Sequence, residues 1–268
     1  MQLRKTKIRF AKINHIFISH LHGDHVFGLY GLLSTFSLMG RTNPIHLYAP
    51  ENYDNILRSH LNDFDIKLSF QIDFIPLSAR DPVLILNDKY LTVTAFPLQH
   101  RVPAFGFLFR EKKPDRNIIK ESIVKFNIPL VRIPAIKKGE DFIASDGVII
   151  KNEEITMPPS EPLSYAYCSD TKYFKRLASF VKNVNLLYHE ATFDKSREDL
   201  AEITGHSTTY DAAKTAVAAN AHTLIIGHFS ARYKDITPLV MEAREIFPET
   251  YPAIDGKNYE VGNISDPL

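Results

Sequence analysis

The sequence has a single cysteine, Cys168, in 268 residues. One thiol excludes an internal disulfide framework and fits a reducing compartment. No apolar run reaches membrane-spanning length, because charges interrupt every long stretch. The opening residues, Met1-Gln2-Leu3-Arg4-Lys5-Thr6-Lys7, lack the apolar segment of a secretory signal. These absences read as a cytoplasmic protein with no membrane partner. Charge of one sign is not in excess either. Lys and Arg number 32 against 31 Asp and Glu, for a net charge of +1 and a pI of about 7.8. A chain that coats itself with nucleic acid is usually far more basic. Contact with nucleic acid therefore rests on local patches: Arg4-Lys5-Lys7-Arg9, Arg110-Lys112-Lys113-Arg116 and Lys137-Lys138. Taken alone, each reads as a solvated face. Internal repeats and low-complexity tracts are absent as well.

What is present begins with short apolar runs that predict buried strands. They are Ile16-Phe17-Ile18, Ile45-His46-Leu47-Tyr48, Leu91-Thr92-Val93-Thr94-Ala95-Phe96, Tyr165-Ala166-Tyr167-Cys168, Leu186-Leu187-Tyr188 and Leu224-Ile225-Ile226. Helical patterns lie between them at 27–39, 52–62, 172–181 and 208–219. The last opens on Thr208-Thr209-Tyr210-Asp211, a capping-box signature. This mixture implies an α/β sandwich with helices on its outer faces. Residues 111–162 differ: they are rich in Lys, Glu, Pro and Asp and lie between strands that end in candidate ligands. They read as an insertion or protruding arm, with Ile123-Val124 and Val148-Ile149-Ile150 giving it structure of its own. The expected division is a core in two parts, 1–110 and 163–268, around the arm.

The chemistry is concentrated in Ser19-His20-Leu21-His22-Gly23-Asp24-His25. Zn²⁺ takes imidazole nitrogen and carboxylate oxygen, and two adjacent ions need about twice the ligands of one. A tight turn permitted by Gly23 could aim His20 and His22 at one metal, and Asp24 and His25 at another. Six positions cannot close two coordination spheres. Further candidates lie at or just past the ends of other apolar runs: His100, Asp170 and His228. In open α/β sheets, sites assemble at that carboxyl edge. Read singly, His100 is a surface turn residue, Asp170 the N-cap of a helix after Thr171, and His228 a loop histidine. His206, in a polar loop before a helix, and His189-Glu190, at a strand end, could supply a proton donor and its orienting carboxylate. His15, His46, His60 and His222 have no ligand-like context and read as structural.

At these residues the sequence resembles ribonuclease Z, the tRNA 3′-processing endonuclease of the metallo-β-lactamase superfamily. Phe17 to Leu29 and Gln99 to Phe107 match, as do Cys168-Ser169-Asp170-Thr171, His189-Glu190-Ala191-Thr192-Phe193, Gly205-His206-Ser207-Thr208 and Gly227 to Tyr233. The first motif marks only the superfamily; His-Glu-Ala-Thr, His-Ser-Thr and Ser-x-Arg-Tyr point to the ribonuclease Z branch. The resemblance implies an αβ/βα four-layer sandwich with an inserted exosite arm that grips precursor tRNA. It implies one zinc on His20, His22 and His100, a second on Asp24, His25 and His228, and Asp170 bridging both. Asp24 would accept the proton of the attacking water. His206, oriented by Glu190, would protonate the leaving oxygen, and Arg232 would contact a phosphate. The implied reaction is attack by metal-activated hydroxide on a phosphodiester, leaving a tRNA 3′-hydroxyl. A homodimer is implied too, with one subunit's arm serving tRNA at the other's site; neither a membrane nor DNA is a partner. Mn²⁺ or Fe²⁺ accept similar ligands.

Two departures accompany the resemblance. The bacterial arm carries a Gly-Pro pair and a Gly-x-Leu-x-x-Gly stretch, whereas this chain reads Asn127 to Gly139 with only part of that pattern. The family also begins with strands ending in Asp-x-Gly-Glu-Gly-Thr-Gln, and Met1-Gln2 falls where its Thr-Gln would lie. The expectation is that the N-terminal strands are missing, with apolar faces and strand edges left unpaired. The alternatives are a hydrolase of small phosphodiesters, sulfates or lactones on the same fold, and a metal-poor, weakly active truncated chain.

Overall fold

The computed structural model describes residues 8–78 and 80–264. Arg4, Lys5, Lys7 and Met1-Gln2 thus lie outside the described residues. The first half builds a small sheet with two helices: β1 (His15–Phe17), α1 (Gly23–Leu38), β2 (Ile45–Pro50), α2 (Tyr53–Asp63) and β3 (Ile72–Leu77). The three strands are parallel in the order β1-β2-β3. A second sheet starts with β4 (Val83–Asn87), β5 (Leu91–Leu98) and β6 (Ala104–Glu111), which pair antiparallel. After the insertion come β11 (Ser164–Cys168), α6 (Leu177–Phe180), β12 (Leu186–Glu190), α7 (Glu198–Thr204), α8 (Thr209–Ala219), β13 (Thr223–Gly227), α9 (Thr237–Arg244) and β14 (Thr250–Pro252). They complete seven strands in the order β14-β13-β12-β11-β6-β5-β4, with β11 to β14 parallel.

Three apolar clusters glue four layers together. Val26, Leu29, Leu33 and Phe36 recur at helical spacing and seat α1 on Ile45, Leu47 and Ala49 of β2. The other face of β2 and β3 presents Tyr48 and Leu77 to Val93, Ala95, Phe105 and Phe107 of the large sheet. The far side of the large sheet carries Ala212, Ala213, Ala216 and Ala219 of α8, and Val240 and Ala243 of α9. Small alanines let α8 lie close to Leu224 and Ile226 of β13. The order helix, sheet, sheet, helix is the expected αβ/βα sandwich. Thr208 and Asp211 form the capping box read from the sequence, and Asn220 closes α8 in the left-handed region at φ 49°.

Two expected helices differ. That at 27–39 starts four residues earlier, so Asp24 and His25 sit in the first turn of α1, where an acid suits the helix dipole. Gly23 therefore serves no turn; a Cβ there would meet only the exposed ring of Phe27, at 2.3 Å. The helix at 172–181 shrinks to α6, and the segment before it is tied to the sheet edge: Thr171 N donates to Glu190 Oε1 and Lys172 N to the Gln99 carbonyl. Asp170 thus caps no helix.

Gly106 in β6 has a packing reason to be glycine. A Cβ there would lie 2.2 Å from the buried Phe96 ring and 2.9 Å from the Tyr167 carbonyl oxygen. Gly106→Ala is expected to cost about 1–3 kcal/mol by overpacking, read as a lower urea midpoint at unchanged m-value.

Residues 111–162 enclose a cluster of their own: Ile128, Ile136, Phe142, Ile150 and Ile155. It is framed by β7 (Asn117–Ile118) paired with β10 (Thr156–Met157), by α3 (Lys120–Lys125), α4 (Ile133–Lys137) and α5 (Asn152–Ile155), and by the hairpin of β8 (Phe142–Ile143) and β9 (Ile149–Ile150). Buried Asn152 fastens these pieces. Its Nδ2 donates to the carbonyls of Ile136 (2.7 Å) and Glu140 (2.8 Å), and its amide donates to Asp141 Oδ1 (2.8 Å). Of the apolar pieces read from the sequence, Ile123 and Ile150 face inward, whereas Val124, Val148 and Ile149 are exposed.

Candidate metal centre and proton-donor pair

Strands β5, β11, β12 and β13 run in one direction and end on one edge of the large sheet. His100, Asp170, Glu190 and His228 stand there, at or just past the last residue of each. The small sheet brings the segment after β1 to the same edge, where Phe105 N donates to the Ser19 carbonyl at 2.9 Å. Two groups of potential ligands result. His20, His22, His100 and Asp170 have ligand atoms within 4.8 Å of one another, and so do Asp24, His25 and His228. Each group draws on both sheets.

The distances test whether a metal ion would fit. His20 Nε2 lies 3.1 Å from His22 Nδ1, which lies 3.2 Å from His100 Nε2. Asp170 Oδ2 is 3.5 Å from His20 Nε2 and 4.0 Å from His100 Nε2. Its other oxygen, Oδ1, is 3.6 Å from His25 Nε2 and 3.5 Å from His228 Nε2, and Asp24 Oδ2 is 3.5 Å from His25 Nε2. A tetrahedron with bonds of about 2.0–2.1 Å has edges of about 3.3–3.4 Å. Nitrogens and carboxylate oxygens thus crowd at the separations a divalent cation imposes. Asp170 offers one oxygen to each group. The donor set fits a divalent metal site.

Protonation favours the same conclusion. Burial first, then the neighbouring His25, His100 and His22, push the His20 imidazole down to about 3. Burial also lowers His100, against the Gly205 carbonyl and Asp170. Both rings are neutral at pH 7, the form that binds metal. The outward nitrogen of His100 is anchored: Nδ1 donates to the Gly205 carbonyl at 2.7 Å, which fixes the tautomer. Gly205 allows this because it ends α7 at φ 79°, and a Cβ would sit 3.0 Å from that nitrogen. His228 is held at φ 63°, a left-handed conformation that costs a non-glycine residue about 1–3 kcal/mol.

Beside these groups lies a hydrogen-bonded pair. His206 Nδ1 donates to Glu190 Oε1 at 2.8 Å. Glu190 is fully buried and also accepts from Thr171 N (3.0 Å), Thr192 N (3.1 Å) and Thr192 Oγ1 (2.8 Å). Burial opposes charge on His206, but the hydrogen bond and the charge of Glu190, with help from Asp170, outweigh it and raise its pKa. The ring of His206 stacks on His228 with centroids 5.3 Å apart. Asp170, His206 and His228 also form a group at ligand distance, although Nδ1 of His206 is committed to Glu190. His189 is not part of this pair: it is fully buried, and its Nδ1 donates to the Glu190 carbonyl at 2.6 Å. Arg232 is exposed, with its guanidinium 5.0 Å over the Phe193 ring and Nε on Ser230 Oγ. His15 stacks on His46, His46 pairs with Asp73, and His60 stacks on Tyr30, away from the site. The sequence reading gave no role to Thr192, whose hydroxyl touches both Glu190 and His228. Its signals were its place in the His189-Glu190-Ala191-Thr192 match and just beyond a strand end.

Two layers of helix around two sheets, with histidines and aspartates on the shared edge, define the metallo-β-lactamase fold. The family described as beta-lactamase superfamily domain matches residues 1–119. The structure is similar to human tRNase Z, short form (TM-score 0.66, 24% identity, covering 97% of this chain and 84% of that one). It is also similar to a metallo-β-lactamase fold protein of Bacillus subtilis (TM-score 0.63, 17% identity, 94% and 79% covered). Among relatives by sequence, ribonuclease Z of Bacteroides thetaiotaomicron is 41% identical over 266 residues, covering 99% of this chain and 84% of the relative. Ribonuclease Z of Bacteroides fragilis is 43% identical over 250 residues, covering 93% and 82%. The chain belongs to the ribonuclease Z family, a nuclease branch of this fold. No helix among the described residues is long and apolar enough to cross a membrane.

Proposed function

We propose that this chain is a zinc-dependent endoribonuclease that removes the 3′ trailer from precursor tRNA and leaves a 3′-hydroxyl on the tRNA. The observation that carries the reading is Asp170, with one oxygen toward each of two ligand groups, beside the Glu190–His206 pair. His20, His22 and His100 would hold one ion, Asp24, His25 and His228 the other, and Asp170 both. Bound ions supply an activated water and neutralise charge on the phosphate in flight. Asp24, the exposed member of its group, accepts the proton of the attacking water. His206 keeps a proton through Glu190 and gives it to the leaving oxygen of the trailer. Arg232, reaching into solvent beside the site, holds a flanking phosphate. Mn²⁺ and Fe²⁺ suit the same donors. A homodimer and a cytoplasmic location belong to the same proposal.

Residues 111–162 are assigned as the arm that grips the tRNA body, between core parts 1–110 and 163–268. A small substrate has no use for an insertion with its own buried cluster. Ile136→Ala is expected to loosen that cluster by about 2–5 kcal/mol, seen as faster amide exchange confined to 111–162. KM for precursor tRNA should rise while turnover of a chromogenic phosphodiester stays unchanged; equal losses on both would detach the arm from tRNA recognition. The function itself is tested by offering a 3′-extended tRNA transcript and a chromogenic phosphodiester side by side. Cleavage at one position of the transcript, with about two zinc ions per chain, is the expected result. Activity on the chromogenic ester alone would favour a small-substrate hydrolase.

A further inference from the structure

We propose that Thr192, just past β12, is a positioning residue that locks His228 and the Glu190–His206 pair into one register. The proposal rests on the reading of this edge as a metal centre. The Thr192 hydroxyl is 2.8 Å from Glu190 Oε2 and 2.8 Å from His228 Nδ1. A hydroxyl has one hydrogen to donate and lone pairs to accept with, and a carboxylate only accepts. The hydrogen therefore goes to Glu190, and the hydroxyl oxygen accepts Nδ1–H of His228. That arrangement selects one tautomer of His228 and leaves Nε2 with a free lone pair, 3.5 Å from Asp170 Oδ1.

The main chain reinforces it. Ser230 N donates to the Thr192 carbonyl at 3.1 Å, and Ala191 N to the Gly227 carbonyl at 2.8 Å. These two bonds bracket His228 and hold its left-handed backbone in place. His228 also stacks on His206, with ring centroids 5.3 Å apart, so the two rings share one packing contact. Thr192 thus ties His228, which would hold one of the ions, to Glu190, which orients His206. Partners of this kind typically change metal affinity by about 10–100-fold when removed.

Thr192→Val keeps the branched shape and removes the hydroxyl; Thr192→Ser keeps the hydroxyl. In metal-free protein, long-range ¹H–¹⁵N spectra, with His228 assigned through His228→Gln, should show the Nδ1–H tautomer in the wild type and a mixture in Thr192→Val. In zinc-loaded protein, chelator competition should show one of the two ions held about 10–100-fold more weakly in Thr192→Val. Thr192→Ser should stay close to wild type. On precursor tRNA, kcat should fall in Thr192→Val with KM unchanged. Wild-type zinc affinity in folded Thr192→Val would overturn the proposal while leaving the metal centre standing. An Nε2–H tautomer of His228 in the metal-free wild type would overturn it whether or not the valine variant folds. A wild type that takes up no zinc would instead remove the metal reading on which the proposal rests.

Discussion

Asp170→Ala is expected to empty both halves of the metal centre and to end cleavage of precursor tRNA. Asp170 is the one side chain that faces both ligand groups, with Oδ2 toward His20 and His100 and Oδ1 toward His25 and His228. Removing it takes one ligand from each group and the only negative charge in the first. The first group is left with His20, His22 and His100 and no carboxylate, the second with Asp24, His25 and His228, and each loses the side chain that ties it to the other. Zinc should drop from about two ions per chain to nearly none, and cleavage by at least about three orders of magnitude, since a bound ion lowers the pKa of water from about 15.7 to about 7. The fold should survive, because the three layer interfaces lie away from this carboxylate. Elemental analysis, a thermal melt and a single-turnover assay on one preparation decide the matter. Full zinc content in Asp170→Ala would sink the bridging assignment.

His206→Ala should separate proton donation from metal binding. His206 stands beside both ligand groups but is committed through Nδ1 to Glu190. With the ring gone, Glu190 still accepts from Thr171 N, Thr192 N and Thr192 Oγ1, so its buried carboxylate keeps three donors. Zinc content and KM are therefore expected to hold while kcat on precursor tRNA falls by about 10²–10⁴-fold, the usual span for a lost general acid. A substrate whose leaving group needs no proton, such as a nitrophenyl phosphodiester, should lose far less. Equal losses on the two substrates would remove His206 from the leaving-group step.

The candidate ligands His20, His100, Asp170 and His228 were legible because they stand at or just past the end of an apolar run, where a sheet of parallel strands places its chemistry; His22, Asp24 and His25 were legible from their spacing in one short motif. Helix α8 was legible for a local reason too: its capping box and its alanine spacing both lie within the short stretch from Thr208 to Ala219. What escaped depends on distant partners. The helix expected after Thr171 is confined to α6, and the residues before it are held instead by Glu190 and Gln99, far away in sequence. Strand β6 was overlooked: Ala104-Phe105-Gly106-Phe107-Leu108-Phe109 has no alternation, since both of its faces are covered. His189 and Glu190 are adjacent and equally buried, yet only Glu190 joins the site, because successive side chains on a strand point to opposite faces. Thr192 lay within the His-Glu-Ala-Thr match, but no role was read for it. Its meaning comes from standing between a carboxylate and an imidazole that the sequence separates by 38 positions, Glu190 to His228.

Each ligand group takes two members from the segment after β1 and two from the large sheet, once Asp170 is counted in both. Neither half of the chain can hold an ion with four donors alone. On the proposed ligand assignment, catalytic competence is expected to arrive with the docking of sheet on sheet, after both halves have formed their own strands and helices. During refolding, the return of hydrolysis should trail the return of secondary structure by the time that docking takes. A metal held by the proposed ligands would act as a latch across the seam, and its slow release would report how often the seam opens in the native protein.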